Sequence, residues 1–68
     1  MKECPRCHRQ TLEDERALNC LSRRGENKKI LIYICNACGT AEALIDLGKI
    51  EPTVIEVEFI KWLETDLL

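Results

Sequence analysis

The chain has 68 residues, of which 46% are hydrophobic and 32% are charged, and its formal net charge is −2 at neutral pH. This balance excludes a disordered tail, and the length excludes more than one folded domain. Because only one Phe, one Tyr and one Trp are present to fill a core, we expect a further source of stability: disulfides, a metal or oligomerisation.

The expected redox environment follows from the sequence signals for secretion and membrane insertion. The N-terminal residues do not have a charged region followed by an apolar region, and apolar runs such as residues 30–34 are far too short to span a bilayer. We therefore expect a soluble cytoplasmic protein without membrane contact. In a reducing cytosol, C-x-x-C pairs bind metal more often than they form disulfides, so the five cysteines predict four ligands and one spare.

Two C-x-x-C pairs lie far apart in the chain, Cys4 with Cys7 and Cys35 with Cys38. On a tight turn each pair can direct both sulfurs at one ion, so together they predict a tetrahedral four-cysteine site. Soft thiolates favour one structural Zn²⁺ per chain, with iron as the main alternative. Since protein ligands fill all four positions, we expect no catalytic water and no enzymatic activity.

Two residues near these pairs have more than one interpretation. His8 follows Cys7 where glycine would fit more easily, and we expect a turn residue with an exposed ring rather than a substitute ligand. Cys20 lies among apolar residues, and we expect a small buried hydrophobe rather than a redox thiol or a ligand. Gly39, directly after Cys38, suits a left-handed position at the end of the second turn.

The middle of the chain predicts a β-hairpin. The strands are "ALNCLS" and "KILIYI", joined by the polar loop "RRGENK" with Gly25 and Asn27 at the turn. Four basic residues in or beside this loop are candidates for contact with phosphates or with an acidic protein surface: Arg23, Arg24, Lys28 and Lys29. The net negative charge of the chain opposes a general attraction to nucleic acid.

Two helices are expected after the hairpin. Thr40 can cap a short helix formed by "AEALIDL", which Gly48 would end. In the C-terminal segment, Thr53 and Glu56 form a capping-box pattern, although alternating β-branched residues also fit a strand. We expect a helix there, because the segment is long and ends in helix-forming residues.

These elements predict a small metal-stabilised α+β fold, a zinc ribbon with two zinc knuckles, a β-hairpin, a short helix after the second knuckle and a C-terminal helix. Residues 1–48 would form the ribbon domain. Residues 49–68 would form an acidic amphipathic segment that packs on the ribbon or on a partner. Its candidate interface residues, which could also support a homodimer, are Phe59, Trp62 and Leu67.

The motifs "CPRC", "NCLSRRGEN" and "YICNACGTAEALID" together resemble small zinc-ribbon proteins that are frequent in bacteriophage and prophage genomes. Their shared pattern is CPxCG, N-A-L-S-R, a turn, and I-C-x-x-C-G-x-x-E-A. The resemblance covers residues 4–46. It matches the ligand positions Cys4, Cys7, Cys35 and Cys38, and the box positions Asn19, Leu21, Ser22 and Arg23.

The chain departs from this pattern at two positions. Cys20 replaces the alanine of the N-A-L-S-R box, and His8 replaces the glycine of the first knuckle. The segment from Ile50 onward has no counterpart in the pattern. The resemblance implies a zinc-ribbon fold and a phage or mobile-element origin, but it implies no biochemical activity.

Two functions follow as hypotheses. The first is a non-enzymatic binding module that docks on a host protein of the transcription or defence machinery, with the acidic tail as a nucleic-acid mimic. The second is a zinc ribbon that binds nucleic acid through the basic loop.

Overall fold

Short strands and helices alternate around the cysteines in the computed structural model, which describes residues 1–66. In chain order the elements are a 3₁₀ turn at Arg16–Leu18, strand β1 at Cys20–Leu21, helix α1 at Arg23–Asn27, strand β2 at Tyr33–Ile34, helix α2 at Asn36–Asp46 and helix α3 at Val54–Thr65. The predicted α+β class is confirmed, with one two-stranded antiparallel hairpin and helices on either side of β2 in the chain.

The first C-x-x-C pair lies on a tight turn between two paired backbone segments. Lys2 and Leu12 exchange both backbone hydrogen bonds, at 2.8 and 3.0 Å, and bring the ends of the segment together. At the turn itself, the N–H of His8 donates to the carbonyl of Cys4 at 2.8 Å. His8 has φ of 63° and an exposed side chain, so the interpretation as a turn residue holds for its backbone and its ring.

The hairpin is shorter than predicted, and its loop is a helix. Strands β1 and β2 pair with Cys20 opposite Ile34 and Leu21 opposite Tyr33. The predicted turn around Gly25 and Asn27 is wrong, because these residues belong to α1. Ser22 starts that helix: its Oγ accepts hydrogen bonds from the N–H groups of the second and third helical residues, as an N-cap does.

Helix α2 begins earlier than predicted, inside the second C-x-x-C pair. Its N-cap is Cys35 rather than Thr40, because the N–H of Gly39 already donates to the carbonyl of Cys35 at 2.9 Å. Gly39 is therefore helical, and the predicted left-handed conformation is wrong. Gly48 has the left-handed φ of 73° and follows the end of the helix, as predicted.

Helix α3 confirms the helical interpretation of the C-terminal segment. The Thr53 side chain accepts a hydrogen bond from the N–H of Glu56 at 3.4 Å. Only this half of the capping box forms, because the Glu56 carboxylate is turned into the protein. Phe59 stacks on Trp62 with their ring centroids 5.9 Å apart.

The core is small and half of it is cysteine. The buried apolar residues are Cys4, Ile34, Cys35, Cys38, Phe59 and Leu63. Helix α3 thus supplies two of the three large apolar side chains that are buried with the cysteines in the described residues, so it completes the same core. None of the helices within residues 1–66 has the length and apolar character needed to cross a membrane.

Gly39 marks a close approach between α2 and β1, and this contact generates a prediction. A Cβ placed on Gly39 would lie 2.6 Å from Sγ and 2.7 Å from Cβ of Cys20. The Cβ of Cys20 is attached to the strand backbone and cannot rotate away. We expect Gly39→Ala to lower the free energy of unfolding of the protein by about 1–3 kcal/mol.

Chemical denaturation monitored by the single tryptophan would measure this loss. The matched control is Thr40→Ala, because Thr40 is the next helical residue and is exposed. Equal unfolding midpoints for Gly39→Ala and the parent protein would contradict the close approach.

Candidate metal centre

The first two sulfurs are presented by the tight turn after Lys2. Cys4 is fully buried, and its sulfur accepts a hydrogen bond from the backbone N–H of Cys35 at 3.3 Å. Cys7 is only half-buried, and its sulfur lies 3.6 Å from the hydroxyl oxygen of Thr11. The turn therefore offers one sulfur towards the core and one towards the surface.

The second two sulfurs come from the start of α2. Cys35 is the N-cap and Cys38 lies in the first turn, so the helix holds both in a fixed relation. Strand β2 leads directly into Cys35 and is anchored by the fully buried Ile34. Both cysteines are buried.

The four sulfurs converge, and all lie within 4.8 Å of one another. Sγ of Cys4 is 3.8 Å from Sγ of Cys38, and Sγ of Cys7 is 3.9 Å from Sγ of Cys35. Four sulfurs at about 2.3 Å from a tetrahedral Zn²⁺ would be about 3.8 Å apart, so the cluster fits such an ion. All five cysteines are free thiols in the structure.

The protein environment divides the four thiols into two kinds. Burial raises the pKa of Cys4 and of Cys38 above the ordinary thiol value. Burial acts in the same direction on Cys7 and Cys35, but hydrogen bonds, including those from the Thr11 hydroxyl, outweigh it. The pKa of Cys7 is lowered and that of Cys35 falls to about 7. A metal ion must therefore displace protons at least from Cys4 and Cys38.

Beside the sulfurs lies a buried pair of opposite charges. Arg6, within the first C-x-x-C pair, has a side chain that is only 3% exposed, and its Nη2 donates to Oε1 of Glu56 at 2.9 Å. Its Nε lies 3.8 Å from a carboxylate oxygen of Glu42. Within the described part of the chain, this Nε is a buried nitrogen without a hydrogen-bond acceptor.

A second arginine completes the network from the other side. Arg24 of α1 donates from Nε to Oε2 of Glu56 and from Nη2 to Oδ1 of Asp46, the latter at 2.8 Å. The hydrogen bond from Arg24 lowers the pKa of the Asp46 carboxyl. Glu56 of α3 is thus held by two guanidinium groups, one from the turn that carries Cys4 and Cys7 and one from α1.

Glu42 connects the two motifs that the chain shares with the zinc-ribbon pattern. It is fully buried, and its two carboxylate oxygens accept hydrogen bonds from Ser22 Oγ and from the backbone N–H of Arg23, both at 2.7 Å. The serine of "NCLSR" and the glutamate of "GTAEA" are therefore in direct contact. The asparagine of the same box, Asn19, exchanges hydrogen bonds with the backbone of Glu13 at 2.8 and 3.0 Å.

His8 and Cys20 lie outside the sulfur cluster of the described chain. The His8 ring is exposed and contacts Glu3 at 3.0 Å. Cys20 is half-buried against Gly39, and its sulfur lies 3.2 Å from Oδ1 of Asn36. Its expected role as a small hydrophobe is therefore only partly right, because the thiol also has a polar neighbour.

The four candidate contact residues of the basic loop are not equivalent. Arg24 is only 14% exposed and is engaged by two carboxylates, so it belongs to the protein interior rather than to a contact surface. Arg23 is more exposed and lies 3.7 Å from Asp46. Lys28 and Lys29 are exposed and make no ion pair with any residue in the described range.

The three candidate residues of the tail interface also differ from one another. Phe59 is 2% exposed, so its prediction as an interface residue is corrected: the ring is already covered by this chain's own core. Trp62 is partly exposed beside it. Leu67 lies outside the described residues.

No protein-family model, curated protein or solved structure matches the chain. The resemblance to phage-type zinc ribbons therefore remains a prediction from the motifs, and the function has to be inferred from the residues of the site.

Sequence reasoning did not identify the buried charges, although two signals were present. Glu42 lies four residues after Cys38, on the same face of α2 as that buried cysteine. Glu56 lies three and seven residues before the buried Phe59 and Leu63, again on one helical face. Each glutamate therefore falls on a core-facing position.

The raised pKa values of Cys4 and Cys38 generate a prediction about pH. Protons compete with the metal for sulfur, and these two thiols are protonated at neutral pH in the metal-free protein. Metal binding must release at least these two protons, so affinity should fall on acidification, by about a hundredfold per pH unit near neutrality.

Competition with a chelator of known proton affinity, at several pH values around neutrality, would measure the slope. A decrease of only about tenfold per pH unit would correspond to one released proton and would contradict the assignment of two protonated thiols.

Proposed function

We propose that this protein is a small zinc-ribbon module in which one structural Zn²⁺ is bound by Cys4, Cys7, Cys35 and Cys38. The convergence of four sulfurs within 4.8 Å carries the proposal. The distances fit zinc, and a thiolate tetrahedron suits zinc better than harder metals, with iron as the competing ion. A metal held in this way would stabilise a fold whose apolar core is too small for its length.

The module is proposed to act by binding rather than by catalysis. Four protein sulfurs leave a tetrahedral ion no open position for a water or a substrate. With the phage-type resemblance, this favours a cytoplasmic module that docks on a host protein of the transcription or defence machinery. The binding partner would then determine the biological effect, and the metal would maintain the shape of the docking surface.

An apolar surface on the hairpin supports binding to a protein. Leu21 pairs with Tyr33 across the hairpin, and Leu31 lies two residues before Tyr33 in the segment that leads into β2. Leu31 is 75% exposed and Leu21 is 37% exposed. The guanidinium of Arg16 lies 5.5 Å from the centre of the Tyr33 ring. Exposed aliphatic residues beside an aromatic ring and an arginine are typical of protein interfaces.

Binding of nucleic acid through the basic loop is the second candidate function. The ion pairs of the loop arginines argue against it. Arg24 is engaged by Glu56 and Asp46, so it cannot contact a phosphate without breaking buried bonds. Arg23 is exposed but lies 3.7 Å from Asp46, so Lys28 and Lys29 are the exposed cations of the loop without an ion pair in the described residues. Two lysines give little affinity for phosphates at physiological salt.

Metal removal tests the zinc proposal. We expect native mass spectrometry to show one zinc per chain, and chelation to remove the zinc together with the compact charge-state distribution. Cys35→Ser should unfold the chain, because metal binding supplies much of its folding free energy, on the order of 10 kcal/mol in zinc-finger peptides.

Cys20→Ser is the matched control, since Cys20 lies outside the cluster. It should keep the zinc and the compact state. A folded Cys35→Ser variant with an unchanged melting temperature would contradict the structural metal. The same spectra give the oligomeric state, and iron in place of zinc would be identified by its mass.

Charge reversal and disruption of the apolar surface separate the two binding functions. We expect Leu31→Glu to abolish capture of a host protein from a nuclease-treated lysate, and Lys28→Glu with Lys29→Glu to leave the capture intact. Both variants change exposed residues, so both should bind zinc normally.

The opposite pattern would favour binding of nucleic acid. In that case the capture would disappear after nuclease treatment and in the double lysine variant. Arg24 and Glu56 are unsuitable for charge reversal, because their side chains are buried in the ion-pair network. The exposed Glu58 and Glu64 of α3 remain suitable for testing the acidic tail.

A further inference from the structure

The position of Arg6 connects the metal centre with the C-terminal helix. Arg6 lies in the chain between two ligand cysteines, and its side chain borders a cavity of about 190 Å³ together with Cys7, Cys35 and Cys38. Its guanidinium also donates to Glu56, which is fifty residues away in the chain. One side chain therefore touches both the surroundings of the sulfurs and α3.

We propose that Arg6 is a positioning residue that couples metal binding to the docking of α3, because Glu56 and Glu42 hold its positive charge beside the sulfur cluster. This proposal rests on the proposed zinc site. It extends that site from the four sulfurs to Glu56 of α3, a helix that contains none of the four cysteines.

The charges around the site show why such a residue is needed. A divalent ion with four thiolates has a net charge of −2. The same interior contains the carboxylates of Glu42 and Glu56, both almost fully buried. Within the described chain, Arg6 and Arg24 are the cations that contact these two carboxylates. An excess of buried negative charge would oppose thiolate formation, so a guanidinium beside the sulfurs favours the metal-bound state.

The unused nitrogen of Arg6 supports this role. Its Nε is buried and has no hydrogen-bond acceptor, whereas the buried polar nitrogens of proteins almost always have one. Metal binding converts the neighbouring sulfurs from thiols into thiolates, which accept hydrogen bonds from cations more strongly.

The coupling acts in both directions. Loss of the metal frees the turn that contains Arg6, and Glu56 then loses one of its two partners inside the protein. A buried carboxylate deprived of a partner is strongly destabilising, so α3 becomes easier to detach. Conversely, removal of the Glu56 charge takes away the hydrogen-bonded partner that fixes the Arg6 guanidinium beside the sulfurs. The loss of this fixed cation outweighs the loss of one carboxylate, so metal binding weakens by the same factor.

The test compares Glu56→Gln with Glu58→Gln in the full chain. Glu58 is the matched control, because it lies on the same helix and is exposed. Zinc affinity is measured by chelator competition, and the environment of the sulfurs is measured by cadmium NMR of the cadmium-loaded protein. We expect Glu56→Gln to bind zinc about tenfold or more weakly and to shift the cadmium resonance, and Glu58→Gln to change neither.

Unchanged zinc affinity in Glu56→Gln would overturn the proposal. Weaker binding with an unshifted cadmium resonance would also overturn it, because Glu56 would then act through folding alone.

If Glu56→Gln does not fold with zinc, Arg6→Met combined with Glu56→Met takes its place, since an apolar pair often replaces a buried ion pair without loss of stability. The same two readouts then decide.

The double variant should fold with zinc, bind it more weakly than the parent protein and shift the cadmium resonance. Parent-like affinity and an unshifted resonance would show that the charge of Arg6 has no effect on the metal. Failure of the parent protein to bind any zinc would instead refute the proposed function, and native mass spectrometry of the parent protein distinguishes that case.

Discussion

The convergence of four sulfurs is the constraint on which the rest of the structure depends. Apart from cysteines, the buried apolar residues of the described chain are Ile34, Phe59 and Leu63, one from β2 and two from α3. These side chains pack around the sulfurs rather than around each other alone. Helix α2 supplies Cys38 and begins at Cys35, β2 leads into Cys35, and α3 supplies Phe59 and Leu63 to the same cluster, so the cysteines and the large apolar side chains form one core.

Buried charge supplements this core in a way that is unusual for so short a chain. Arg6, Glu42 and Glu56 are almost fully buried, and together with Arg24 they join the first turn to all three helices. Buried ion pairs contribute less to stability than their contacts suggest, because each charge must be removed from water. Their hydrogen bonds require particular distances and angles, however. They therefore fix one position of α3 relative to the first turn and α1, whereas a few aliphatic contacts would allow several.

The features that could be predicted from the sequence are those determined by neighbours in the chain. The C-x-x-C pairs, the left-handed Gly48 and the Thr53 cap each depend on a few adjacent residues. The structure confirms that the four cysteines lie together, that α2 ends before Gly48 and that α3 starts after Thr53. Helix α1 was not predicted, because its cap at Ser22 lies within a run that favours strands. The role of Glu56 could not be predicted either. Its capping-box pattern is local, whereas its actual partners lie on Arg6 and Arg24, far away in the chain.

The unequal burial of the four sulfurs has a kinetic consequence. Cys7, Cys35 and Cys38 border the same cavity beside the cluster, but Cys7 is half-buried, whereas the other three cysteines of the cluster are buried. An incoming chelator, a competing metal or an oxidant therefore reaches Cys7 before the other three. With the proposed metal bound, the rate of metal exchange would be set at this one sulfur, independently of how tightly the complete tetrahedron binds the ion. Two proteins with the same four ligands would then differ in metal lifetime if they covered this position differently.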